Sequence, residues 1–177
     1  MQIIQTRNDL LNLLPKNLTI AELGVFKGEF SEVILSIMNP SKLYLVDLFP
    51  TEMCSGDKDG NNMTHANLSI VLEQLTNKYQ DNKKIKLCKS TTYEFLSDLS
   101  DYYLDAVYID ADHTYEGVKK DLDLSLSKVK NGGIIMGHDY CEQFKGVMKA
   151  VDEFCANYNK KISYITKDGC PTYLIYN

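Results

Sequence analysis

The chain has 177 residues, of which 44% are hydrophobic, and a formal net charge of −5 at pH 7. This size and composition suit one globular domain spanning residues 1–177 and argue against disorder. With no Lys/Arg stripe against the acidic balance and no apolar run of spanning length, neither nucleic acid nor membrane is an expected partner.

The opening "MQIIQTRNDL" lacks the apolar core of a signal peptide, so a cytoplasmic location is expected. Residues 1–17 read as a helical extension before the main pattern begins. "LTIAELGV" (18–25) reads as a buried strand. Phe30, Val33, Ile34, Ile37 and Met38 then form a helical stripe that Pro40 ends. "KLYLVD" (42–47) is a second strand. The polar stretch 49–64, with Gly56, Asp57, Asp59, Gly60, Asn61 and Asn62, reads as a loop. Leu68, Leu72, Leu75 and Tyr79 give another helical face. "KIKLCKS" (84–90) is a third strand, with a short helix around "TTYEFLSDL" after it. "LDAVYID" (104–110) is a fourth strand, and Tyr115, Val118, Leu122, Leu126 and Val129 mark the helix that follows. "GGIIMGHD" (132–139) is a fifth, before a wide apolar stripe from Phe144 to Tyr158. "KISYIT", "KDG" and "PTYLIY" close the chain as a β-hairpin with its turn at Asp168-Gly169.

Five βα units predict an α/β fold: a parallel sheet with helices on both faces, extended by the terminal hairpin. Cys54, Cys88, Cys141, Cys155 and Cys170 are scattered without metal spacing and are expected as reduced thiols.

Ligands in such sheets bind at the carboxyl ends of the strands. Four predicted strands end on acidic residues: Glu22, Asp47, Asp110 and Asp139. Gly24 closes the first strand and Gly28 opens the next helix, whose free N–H groups suit an anion. Asp47 follows at a distance at which an acidic side chain can accept the hydroxyl hydrogens of a ribose. A nucleoside-bearing ligand is the reading. The dinucleotide fingerprint GxGxxG is absent, because Val25, Phe26 and Lys27 follow Gly24. A pyrophosphate is therefore not expected.

"AELGVFKGEFS", "LYLVD", "AVYIDADHTYEGV" and "GGIIMGHDY", in that order, resemble class I S-adenosylmethionine-dependent methyltransferases. More narrowly, they resemble the branch of macrocin-type sugar O-methyltransferases and cephalosporin-hydroxylase-like proteins. The resemblance runs from about residue 18 to the end. It implies a Rossmann-like sandwich with a seven-stranded, mostly parallel sheet and one antiparallel strand from the C-terminal hairpin. It implies S-adenosyl-L-methionine as cofactor, with Glu22 and Gly24 at its methionine end, Gly28 beside them, Asp47 on the ribose, and Ser90 and Thr91 by the adenine.

For the reaction, the resemblance implies a divalent metal, magnesium or manganese, held by Asp110, His138 and Asp139. A histidine departs from the usual oxygen pair and suits manganese, iron or zinc better than magnesium. The macrocin-type pattern places a general base three residues after the fourth-strand aspartate, where His113 stands. Asp110 and His113 are thus the catalytic candidates. The plainer alternatives are that His113 caps the helix starting near Thr114, that Asp112 is its acidic approach, and that His65 lies at the surface.

The reading is O-methylation of a hydroxyl on a small molecule or sugar. The alternative is a non-catalytic nucleoside-binding module or regulatory subunit on the same fold. With no separate substrate domain in the pattern, the 49–64 loop, residues 1–17 or the second subunit of a homodimer would cover the acceptor.

Overall fold

The computed structural model describes residues 1–50, 53–55, 64–66 and 68–177. The elements run β1 (Gln2–Ile4), α1 (Arg7–Leu13), β2 (Thr19–Leu23), α2 (Glu29–Met38) and β3 (Lys42–Asp47). Next come β4 (Met53–Ser55), β5 (Thr64–Ala66), α3 (Leu68–Tyr79), β6 (Ile85–Lys89), α4 (Thr92–Asp98) and β7 (Leu104–Ile109). The chain finishes with α5 (Tyr115–Lys128), β8 (Val129–Gly137), α6 (Lys145–Asn157), β9 (Ile162–Thr166) and β10 (Tyr173–Tyr176).

Eight strands form one sheet in the order β1-β9-β10-β8-β7-β2-β3-β6. Only β10 runs against its neighbours, between β8 and β9. Side chains on a strand alternate between faces, and these strands are apolar on both. Ala21, Leu23, Tyr44, Val46, Val107 and Ile109 pack beneath α4, α5 and α6. Ile20, Leu43, Leu45, Ala106, Tyr108 and Met136 pack beneath α1, α2 and α3. Three helices on each face leave the strand ends as the natural opening. At the free edge, β6 exposes Lys86 and Lys89, charges that discourage a further strand from pairing there.

Four expectations are revised. The sheet has eight strands rather than seven, because Gln2–Ile4 pairs in parallel with β9. The N-terminal extension is therefore a strand plus a short helix. Val129 caps the end of α5, its amide donating to the carbonyl of Ser125, and is also the first residue of β8, paired with Leu104. The terminal strands are joined by residues 167–172 rather than by a tight turn at Asp168-Gly169. Finally, the 49–64 segment is not loop throughout: β4 and β5 pair antiparallel within it. Gly56, Asp57, Asp59, Gly60, Asn61 and Asn62 lie outside the described residues, as does the side chain of His65.

Candidate functional site

Strand order reverses between β2 and β7. From β2 the chain builds outward through β3 and β6, then returns to lay β7 and β8 on the other side. Such a switch point opens a crevice beyond the strand ends. Gly24 and Asp110 stand in it, one residue past β2 and β7. The Asp110 amide donates to the carbonyl of Leu23 (2.8 Å) and the Gly24 amide to that of Val46 (2.9 Å). Gly24 has φ +89°, and a Cβ built on it would fall 2.0 Å from the carbonyl oxygen of Asp110. The glycine therefore lets two strand backbones meet closely, in addition to any access it gives a ligand.

The segment after Gly24 is organised by Asp47. Its Oδ2 accepts from the amides of Val25 (2.9 Å) and Phe26 (3.0 Å), and its Oδ1 from that of Phe49 (2.9 Å). Phe26 and Phe49 both adopt left-handed backbone conformations, at φ 51° and 43°, which Asp47 helps to hold. A carboxylate has about four acceptor positions, so one remains for a ligand. Gly28 caps α2 in the left-handed conformation, and a Cβ there would press on the Leu75 side chain at 2.9 Å.

Glu22 is buried at the end of β2 and accepts from the Ser31 hydroxyl. Burial pushes its carboxyl up to about 8, against the opposing hydrogen bond. By strand alternation Glu22, Asp47 and Asp110 share one sheet face. Ser90 donates its amide to the carbonyl of Asp47 (3.2 Å), which places it beside β3. Thr91 caps α4, its hydroxyl accepting from the Glu94 amide (3.1 Å).

The ends of β7 and β8 bring the reaction candidates together, in a recess lined by Asp110, His113 and His138 among others. His113 Nε2 lies 2.7 Å from Asp139 Oδ2 and 3.4 Å from Asp110 Oδ1. His138 Nδ1 lies 2.9 Å from Asp139 Oδ1 but 3.9 Å from Asp110 Oδ2. The compact group is thus Asp110, His113 and Asp139, each offering a ligand atom within 4.8 Å of the others. The sequence expects His138 rather than His113 beside Asp110 and Asp139 as a metal ligand; in the structure both imidazoles adjoin Asp139, and His113 lies nearer Asp110.

Asp139 has φ 62°, a left-handed conformation that costs a residue other than glycine energy. This turn carries its carboxylate to both histidines. Burial works against its ionisation, but the adjoining imidazoles of His113 and His138 more than offset this and hold it far below the usual carboxylate range. The Asp110 and then the Asp139 carboxylate push His113 up to about 10, burial opposing.

The helix-cap alternative for His113 is excluded. Thr114 is the cap of α5, its hydroxyl accepting from the Gly117 amide, and Asp112 accepts from the Thr114 amide (2.8 Å). The imidazole packs instead on Phe144, with ring centroids 4.8 Å apart. Tyr115 and Tyr140 are engaged structurally, donating to Glu153 and Asp152.

Two features were not found in the sequence. Arg7, from the N-terminal extension, reaches the face bearing Glu22 and donates to the Tyr108 hydroxyl (3.0 Å). Cys141 and Cys170, 29 residues apart, meet with sulfurs 2.9 Å apart. Neither contact has a local signature, since each joins residues far apart in the chain.

The profile of the "Methyltransferase domain" family matches residues 21–140. A search of curated proteins finds no significant match. Among solved structures, Aeropyrum pernix fibrillarin, with natively bound S-adenosyl-L-methionine, superposes with TM-score 0.63 at 14% identity, covering 95% of this chain and 72% of that one. A Staphylococcus aureus protein, provisionally assigned as a caffeoyl-CoA O-methyltransferase, gives 0.66 at 15% identity, covering 98% and 85%. A Clostridium thermocellum protein, provisionally assigned as an rRNA methylase, gives 0.64 at 15%, covering 99% and 96%. No helix among the described residues is long and apolar enough to cross a membrane. A family profile covering the crevice and both strand-end clusters places the chain in the methyltransferase-domain family, as a class I S-adenosylmethionine-dependent methyltransferase.

Proposed function

We propose that the chain transfers the methyl group of S-adenosylmethionine to a hydroxyl oxygen of a small molecule or sugar. The observation that carries this reading is the cluster of Asp110, His113 and Asp139 beside the crevice. A hydroxyl is a poor nucleophile until its proton is taken. In the reaction its oxygen attacks the methyl carbon, the carbon–sulfur bond breaks, and the electron pair goes to sulfur. His113, when neutral, accepts the hydroxyl proton. Asp139 and Asp110 orient the imidazole and stabilise the imidazolium that forms. The direct test is transfer of labelled methyl from S-adenosylmethionine to a panel of hydroxylated sugars and phenols. Transfer only to amine, RNA or protein acceptors would overturn it.

The cofactor would lie along Glu22, Gly24, Gly28 and Asp47, with Ser90 and Thr91 toward its adenine. Asp47→Asn tests this. The amide keeps an acceptor for Val25 and Phe26 but turns N–H donors toward the amide of Phe49. Cofactor affinity is expected to fall about tenfold to a hundredfold, as when a charge-assisted bond is lost. Stability should fall by about 1–3 kcal/mol for the displaced buried donor. Calorimetry with S-adenosylhomocysteine and thermal melting read the two effects. Unchanged affinity in the folded variant would remove Asp47 from the ribose site.

Asp110, His113 and Asp139 also fit a divalent cation. His113 Nε2 is buried without an aligned hydrogen-bond acceptor although two carboxylates adjoin it. A nitrogen with two oxygens suits manganese, iron or zinc. When bound, such an ion would supply stabilising charge to the developing alkoxide. It would compete with the His113 proton for the same place. Binding of Mn²⁺ at pH 7 should therefore release about one proton. Titration calorimetry in buffers of different ionisation enthalpy measures this, and binding without proton release would place the metal elsewhere.

A further inference from the structure

Arg7 opens α1, and its amide donates to Asp168 Oδ2 (2.7 Å), which ties the helix start to the β9–β10 connection. Its guanidinium carbon lies 4.1 Å from the centre of the Phe30 ring. That ring in turn sits 4.4 Å from the ring of Tyr108, whose hydroxyl accepts from Arg7 Nη1 at 3.0 Å. Stacking on one face and a single bond at one corner fix the guanidinium plane. They use one of its five N–H donors. The other four have no hydrogen-bond partner among the described residues, although the side chain is half-buried.

The location gives this meaning. Tyr108 is the registered neighbour of Glu22 across the β2–β7 pair, and Asp110 follows Tyr108 by two residues on the same face. Arg7 therefore stands over the crevice end that carries Glu22 and Asp110, and its charge acts on both. The amino-acid end of S-adenosylmethionine carries an ammonium group and a carboxylate. Acidic side chains suit the ammonium but repel the carboxylate. A fixed guanidinium fork answers that repulsion, because its paired donors match the two oxygens of a carboxylate.

We propose that Arg7, held by Phe30 and Tyr108, is the binding residue for the methionine carboxylate of the cofactor. This rests on the cofactor reading above. The test compares S-adenosylhomocysteine with 5′-methylthioadenosine, which keeps the nucleoside and the sulfur but lacks the amino acid. In Arg7→Met, affinity for S-adenosylhomocysteine should fall about tenfold to a hundredfold, the usual effect of losing a charge-assisted pair. Affinity for methylthioadenosine should be unchanged. Arg7→Lys should recover part of the loss, and Tyr108→Phe, which frees the guanidinium from its anchor, should show a smaller loss with the same selectivity. Thermal melting identifies variants that fold. Equal losses for both ligands would make Arg7 a structural residue, and no loss for either would remove it from the site. Either result overturns this proposal alone. Failure of the unaltered protein to bind either ligand would overturn the cofactor reading and this proposal with it.

Discussion

Replacing Gly24 with alanine is expected to destabilise the protein by about 2–5 kcal/mol and to disable the site in whatever fraction remains folded. Two costs combine. A residue with a Cβ at φ +89° bears roughly 1–2 kcal/mol of backbone strain. The new methyl also lands 2.0 Å from the Asp110 carbonyl oxygen, against backbone that no rotamer change can clear. Overpacking of this kind costs about 1–3 kcal/mol, occasionally more. Relief requires β2 and β7 to separate at their carboxyl ends, which carries Asp110 away from His113. Gly132→Ala isolates the first cost. Gly132 also has a positive φ, of +75°, but a Cβ there meets nothing within 4 Å. Its loss should stay near the backbone term alone. Urea unfolding of the two variants decides: equal midpoints would mean that the β2–β7 approach is not tight.

How much of this could be read from the sequence depends on the range of the forces involved. β3 was read to the residue, because "KLYLVD" is apolar on both faces and Pro40 and Pro50 flank it. The βα alternation and the terminal hairpin are legible for the same local reasons, whereas the place of the antiparallel strand within the sheet follows only from the family resemblance. β1 was not. Three residues, "QII", carry no period, and they become a strand only by pairing with Ile165 and its neighbours. The break between α5 and β8 was missed because Val129 fits either pattern. It is the pairing with Leu104 that decides.

The site divides in the same way. That Glu22, Gly24, Asp47, Asp110 and Asp139 stand at or just past strand ends is legible, because strand ends are visible in sequence. The distances of His113 and His138 from Asp110 are not legible there. They turn on the left-handed turn at Asp139 and on Asp112 bracing Thr114, which frees His113 from the helix cap. Nor could sequence show that three backbone amides already occupy the Asp47 carboxylate.

The removal of His113 is expected to lower methyl transfer by about 10² to 10⁴, the usual contribution of a positioned base, while cofactor affinity stays nearly intact. The pH profile distinguishes this base from an ordinary one. An unperturbed imidazole titrates near 6.5, but the carboxylates of Asp110 and Asp139 push His113 up to about 10. Only neutral imidazole can accept the hydroxyl proton. At pH 7 it is then about one part in a thousand of the total. The wild-type rate should climb about tenfold per pH unit and level off near pH 10. Asp139→Asn removes one of the two carboxylates, so the rising limb should move toward neutral pH. Mn²⁺, which takes the same Nε2 lone pair, should instead remove this limb, because a metal-bound imidazole nitrogen cannot accept the proton. Stability runs in the opposite direction. The folded pKa is above the unfolded one, so protonated His113 contributes fully below about pH 6.5. That contribution fades as pH rises through about 10. Melting temperature should therefore decline over the same interval in which metal-free activity increases, and His113→Ala should flatten both curves. A wild-type limb near pH 6–7 in excess chelator, unmoved by Asp139→Asn, would show that His113 is not paired with Asp139 while it acts. A variant that transfers methyl at the wild-type rate would move the base from His113 to another group.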